Sequence, residues 1–158
     1  MLVEMELREI QISEAGSHQI ILLGEKEGER IFPIFIGFFE AAAMDHAVRG
    51  VKTPRPMTHD LICNILEGLG ATLKRILVDE LREDTFHGKL VLETEDGREV
   101  IVDTRPSDAI VLACKYGAPI FVASQVLDEA LGDSAPESQD SDFGPGETTD
   151  EEEGKEPE

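Results

Sequence analysis

The chain has 158 residues, 41% of them hydrophobic, with 34 acidic against 14 basic side chains and a formal net charge of −20. That length supports one domain plus a tail, and that charge excludes the broad basic surface used for non-specific nucleic-acid binding. No apolar run approaches the ~18 residues needed to cross a bilayer, and the N-terminus lacks a signal pattern, so a soluble cytoplasmic protein is expected.

Val3, Met5 and Leu7 alternate with Glu4, Glu6 and Arg8, a half-buried strand running to about Ser13. After the turn at Glu14-Ala15-Gly16-Ser17, a second strand covers His18 to Lys26. Glu27-Gly28-Glu29 turns the chain into a third strand, Arg30 to Ile36, in which Pro33 lacks an amide donor and so predicts an edge position or an irregularity. The three make an N-terminal meander. Phe38 to Arg49 reads as a helix closed by Gly50, and a loop with Pro54 and Pro56 leads to a second helix from Thr58 to about Gly68-Leu69-Gly70. Strands follow at Ala71 to Leu81, Phe86 to Glu95 and Glu99 to Asp103, the last two joined by the hairpin signal Asp96-Gly97. A third helix starts after Pro106 and stops near Gly117. Pro119 to Ala123 is a short last strand, and Ser124 to Leu131 a final turn or helix. The fold class is α+β, a mixed or antiparallel sheet with about three helices in one domain over residues 1–132.

Residues 133–158 hold eleven acidic residues against one basic, a net charge of −10, and almost nothing apolar. This composition predicts a disordered acidic tail, since too little surface can be buried to offset chain entropy. Its expected part is solubilising; as a nucleic-acid mimic it would instead restrain the site. Residues 1–132 carry 23 acidic and 13 basic side chains. A nucleic-acid substrate must then meet a local basic cluster or bound cations. Cys63 and Cys114 stand 51 positions apart in apolar helical patterns, without a Cys-x-x-Cys, and are expected to be buried thiols.

Two segments echo one another: Arg55-Pro56-Met57-Thr58-His59-Asp60 and Arg105-Pro106-Ser107-Asp108. In each, an Arg-Pro pair stops an extended segment, a hydroxyl residue (Thr58 or Ser107) stands where a helix N-cap belongs, and an aspartate faces the positive helix end. Arginine, carboxylates and exposed amides at two helix starts make a polar, phosphate-friendly site. The plain alternative is a pair of well-capped helices.

Together with Pro33-Ile34-Phe35-Ile36-Gly37 and Glu40-Ala41, and with Asp103 preceding the second echo, these motifs resemble the bifunctional nuclease family. The likeness covers nearly all of residues 3–130, including Ala118-Pro119-Ile120; the acidic tail has no part in it. The resemblance implies a compact α+β domain, often a homo-oligomer, with nuclease action on DNA and RNA. Phosphodiester cleavage needs activated water and neutralised phosphoryl oxygens, commonly supplied by carboxylates holding Mg²⁺ or Mn²⁺. The matching positions offer Asp60, Asp103 and Asp108 as cation ligands or water-orienting groups, His59 as the proton carrier, and Arg55 and Arg105 as phosphate-binding residues. Each has a structural alternative. Asp60 and Asp108 complement helix dipoles, the arginines act as clamps on Asp103 or Asp60, and His59 is a hydrogen-bonded spectator. Glu40 is best read as a first-turn dipole partner. The second functional class is a non-catalytic oligomeric module that recognises an anionic ligand. Nucleotide glycine loops, a nucleophile elbow around Ser107 and His-Glu-x-x-His are all missing from the sequence.

Overall fold

The computed structural model describes residues 1–16 and 18–132; the acidic segment expected to be disordered lies outside them. Seven strands and four helices follow in the order β1 (Leu2–Gln11), β2 (Gln19–Glu25), β3 (Ile31–Ile36), α1 (Phe38–Arg49), α2 (Thr58–Gly68), β4 (Ala71–Arg82), β5 (Thr85–Thr94), β6 (Glu99–Thr104), α3 (Pro106–Tyr116), β7 (Ile120–Ala123) and α4 (Ser124–Gly132). The α+β class is as the sequence indicates, and the final segment is a fourth helix.

All strands lie in one open sheet of order β3-β2-β1-β7-β4-β5-β6. The meander β1-β2-β3 is antiparallel and ends at β3, where Pro33 faces Leu22 on an edge that tolerates its missing donor. A second antiparallel block, β4-β5-β6, is tied to the first by the four-residue β7. On one side β7 is antiparallel to Leu2–Met5, and on the other it runs parallel to Ile76–Val78. The hairpin at Gly97 takes φ 78° on a glycine. The β4–β5 turn instead places Glu83 and Asp84 at φ 50° and 57°, a left-handed pair set on side chains that seldom adopt it.

The core forms where α3 lies under α1 and across β4 and β5. Pro106, Ser107 and every residue from Ala109 to Ala113 are buried, so this helix carries no polar stripe through its middle. Ile110 and Leu112, each almost fully enclosed, contribute roughly 1.5–3 kcal/mol apiece by leaving water. Gly88 of β5 permits the entry of α3. A Cβ there would stand 3.1 Å from the Thr104 carbonyl oxygen and 3.2 Å from the Pro106 nitrogen, so its bare α-carbon lets the β6–α3 junction rest on the sheet. Cys63 and Cys114 are half-buried free thiols rather than fully buried ones, and burial pushes both above the usual thiol range.

Candidate active site

Three helix starts meet at one place. N-caps at Gly37, Met57 and Arg105 open α1, α2 and α3. Glu40, Asp60 and Asp108 therefore all occupy the third helical position, where a carboxylate meets the positive end of the macrodipole. Ser107 and Thr58 are not the caps that the sequence suggests. Pro106 takes the first turn of α3, where its fixed φ fits and its missing N–H is not needed, so Ser107 is already inside the helix. Thr58 is the first residue of α2, and Met57 before it is extended.

Asp108 is the hub. Its Oδ1 lies 2.9 Å from His59 Nε2, and its Oδ2 accepts from Arg105 Nε at 2.8 Å. Arg105 Nη1 donates in turn to Glu40 Oε1 at 3.0 Å. Asp60, one residue beyond His59, is used differently: Oδ2 accepts the Met57 backbone N–H at 2.9 Å, and Oδ1 accepts from Lys115 Nζ at 2.5 Å. Burial pushes the Asp108 carboxyl up, but hydrogen bonds from Arg105 and His59 outweigh it and hold the group below the ordinary carboxylate range. The Lys115 ammonium, helped by the Met57 amide, lowers Asp60 as well. An ionised Asp108 can only accept, so His59 donates through Nε2–H, and its Nδ1 has no hydrogen-bond partner among the described residues.

A cavity of about 390 Å³ opens over this network, within the ~300–1,000 Å³ typical of small-ligand sites. Arg105, Lys115 and His59, with the carboxylates of Glu40, Asp60 and Asp108, are among its polar residues, and Phe39, Ala43 and Met57 are among its apolar ones. An adjoining cavity of about 520 Å³ shares His46, Thr53, Asp60 and Lys115 with it and extends past Lys52. Of the sequence-derived candidates, His59, Asp60, Asp108 and Arg105 come together here. Asp103 does not: it faces Lys89 on edge strand β6. Leu90 and Leu92 join the core beneath α3, and alternation along β5 and β6 turns Lys89 and Asp103 to the opposite face. Arg55 lies exposed in the α1–α2 loop, where its carbonyl oxygen accepts from the Thr53 hydroxyl at 2.6 Å.

The carboxylates as placed do not fit a Mg²⁺ or Mn²⁺ ligand set. Among the described residues no three His, Cys, Asp or Glu side chains converge as ligands. Both oxygens of Asp60 and of Asp108 already accept from nitrogen. Two participants escape sequence reasoning. Lys115 sits seven residues after Asp108 on the same helix face, a spacing visible in the sequence, but its partner is 55 positions away. Glu40, read as a dipole partner, also grips Arg105. A further pattern emerges from the ion pairs. Of the 13 Lys and Arg side chains in residues 1–132, Lys52 and Arg55 alone make no ion pair among the described residues. Both lie in the loop beside these cavities.

Residues 21–134 match the family model described as the bifunctional nuclease domain. The chain belongs to that family. An uncharacterized protein of Mycobacterium tuberculosis is 38% identical over 127 residues, covering 80% of this chain and 75% of the relative. A protein of Oryza sativa subsp. japonica named bifunctional nuclease 1 is 24% identical over 127 residues, 78% of this chain but 38% of the rice protein. Bifunctional nuclease 2 of the same plant is 27% identical over 114 residues, 70% of this chain and 35% of its own length. This bifunctional nuclease domain thus spans little more than a third of the rice relatives. The matched segment starts inside β2, although β1 is an interior strand of the sheet.

Proposed function

We propose that the chain is a nuclease that hydrolyses phosphodiester bonds of DNA, RNA or both with little sequence preference. The observation that carries this reading is the ionised Asp108 orienting His59 inside a cavity that also holds Arg105 and Lys115. His59 Nδ1 takes a proton from water as the water oxygen attacks phosphorus. Arg105 and Lys115 stabilise charge growing on the phosphoryl oxygens, and the phosphorus bond to the departing sugar oxygen breaks with that oxygen taking a proton from solvent water, while His59 later returns its proton to solvent. Asp108 is a positioning residue: it holds the imidazole tautomer and the Arg105 fork, while Glu40 fixes the far side of that fork. Asp60 keeps α2 and Lys115 in place. Arg55 and Lys52 attract the strand from the loop. The step runs without a divalent cation, since both oxygens of Asp60 and of Asp108 are engaged with nitrogen donors.

The test is cleavage of supercoiled plasmid and of a folded RNA by purified protein, with Mg²⁺, with Mn²⁺ and with chelator, beside Asp108→Ala checked for folding. Activity in the parent that disappears in Asp108→Ala establishes the nuclease and its site. Its response to chelator decides whether the reaction depends on Mg²⁺ or Mn²⁺. Equal activity in both proteins misplaces the site. Absence of activity in both favours the non-catalytic anionic-ligand module, for which Lys52 and Arg55, unpaired among the described residues, are the available cations.

Self-association belongs to the same proposal. Leu61, Ile65 and the C-cap residue Leu69 recur every four residues on α2 and are 52%, 49% and 75% exposed. This uncharged stripe is where a second copy of an acidic domain meets least repulsion. Ile65→Asp is expected to yield monomer by light scattering; an unchanged mass removes the stripe as the interface. No helix among the described residues is long and apolar enough to span a membrane, and we place the activity in the cytoplasm.

A further inference from the structure

We propose that the cavity over His59 and Asp108 takes one unpaired base, so that the protein selects single-stranded or looped nucleic acid over duplex. The inference rests on the nucleic-acid reading of the site and goes beyond it in naming the strand form and the residues that select it.

The cavity volume of about 390 Å³ suits a single nucleotide unit and excludes a stacked base pair, so a base entering it must already be out of a helix. Its rim carries an aromatic ring that lies outside the core. Phe39 is 84% exposed, on the side of α1 turned away from the buried Ala41 and Met44. Its ring meets that of Phe38 edge to face, with centroids 5.9 Å apart and planes at 79°. Whichever ring supplies the edge, each keeps at least one face uncovered by the other, and an uncovered face is what a base stacks on. Met57, 59% exposed across the same cavity, adds a polarizable thioether against a second base face.

The charges complete the argument. Residues 46–59 contain Arg49, Lys52, Arg55 and two histidines without one acidic residue. Arg49 is held by Asp45, which leaves Lys52 and Arg55, the two cations lacking an ion pair among the described residues. The two cavities adjoin along this loop, so a strand with its base beside Phe39 carries its neighbouring phosphates toward Lys52 and Arg55. At the reacting phosphate, Arg105 offers Nη2, which has no hydrogen-bond partner among the described residues. A rigid duplex reaches the outer cations but leaves the aromatic rim unused. Stacking is indifferent to base identity, in keeping with weak sequence preference.

The experiment is fluorescence anisotropy with labelled 12-mers of oligo-dT and oligo-U and with a blunt 12-base-pair duplex, at several salt concentrations. Oligonucleotide integrity is checked after each titration. Both single strands are expected to bind at least tenfold more tightly than the duplex, and their ratio separates DNA from RNA as the preferred source. Phe39→Ala should weaken single-strand binding by about tenfold with duplex binding unchanged, Phe39→Leu should weaken it nearly as much, and Phe39→Trp should restore it. Since Phe39 is exposed, these variants keep the fold, which circular dichroism checks. Lys52→Ser with Arg55→Ser should flatten the single-strand salt dependence by about 0.7 per cation in log–log slope. Equal affinity for duplex and single strand, or Phe39→Ala binding like the parent, overturns the proposal. Tight single-strand binding without cleavage of any substrate overturns the nuclease reading alone; cleavage without strand preference overturns this inference alone.

Discussion

The first turns of α2 and α3 carry an aspartate at the same helical position and use it for opposite ends. Asp60 spends one oxygen on the backbone N–H of Met57 and the other on Lys115, ties that fix where α2 begins and how it lies on α3. Asp108 gives its oxygens to two side chains from outside its own helical turns, His59 and the cap residue Arg105. The same residue type in the same dipole field is a fastening in one helix and an organising group in the other. What separates them is their surroundings. The helix that bears Asp108 is buried along most of its length, and Asp108 meets His59 of α2 and its own cap residue Arg105, whose guanidinium reaches on to Glu40 of α1, whereas Asp60 meets its own backbone and Lys115. Position in a helix determines the field a carboxylate feels; packing determines what it holds.

Substitution at the two sites is the direct way to break this contrast. His59→Ala, which removes the partner of Asp108, should lower kcat on plasmid or RNA by roughly 10²–10⁴-fold with little change in KM. Asp60→Ala should stay within about tenfold of the parent; equal losses would erase the distinction. Asp108→Asn keeps the shape but removes the charge that sets the imidazole tautomer, and is expected to cost at least ~100-fold. Single-turnover rates at saturating substrate measure this without interference from binding.

Stability sharpens the contrast from the other side. Asp60→Asn removes a charge-assisted link and should lower the melting temperature by about 4 °C, near 1 kcal/mol, while sparing most activity. Both aspartates are held below their unfolded value of about 3.9, Asp60 by Lys115 and the Met57 amide, Asp108 by Arg105 and His59 against its burial. A depressed folded pKa stabilises the fold above the unfolded value, and that stabilisation is lost as pH falls through the folded one. The melting-temperature gap between parent and Asp60→Asn should therefore be full at pH 7 and close as pH drops below about 4. A gap unchanged in acid would show that the lysine link contributes nothing. The smallest effect is expected for Glu40→Gln: Arg105 loses one anchor but keeps Asp108, so KM should rise a few-fold with kcat preserved.

Much of this architecture was legible locally. Alternation in β1, Pro33 at an edge, glycines closing α1 and α3, and Asp96-Gly97 between β5 and β6 each act through the backbone within a few residues. The helix starts are legible too, but the caps lie one residue earlier than Thr58 in α2 and two earlier than Ser107 in α3, where Pro106 takes the first helical position. Asp103 shows where reading by proximity fails. Five positions from Asp108 in the chain, it is turned to the other face of the sheet by strand alternation and meets Lys89. Lys115 shows the converse, since nothing near it in sequence names Asp60 as its partner.

By itself the sequence determined most of the elements, the family and the three first-turn acids, because propensity and alternation depend on neighbours along the chain; whether Pro33 marks an edge or an irregularity, and whether the last segment is a turn or a helix, it left open. Only the tertiary structure decided that β7 joins the two blocks of the sheet, that His59 meets Asp108 across 49 positions, and that Arg105 is held between Asp108 and Glu40. Those contacts form only when α3 is buried beneath α1 and α2, and its entry over Gly88 aims Asp108 at the place where the other two helix starts arrive.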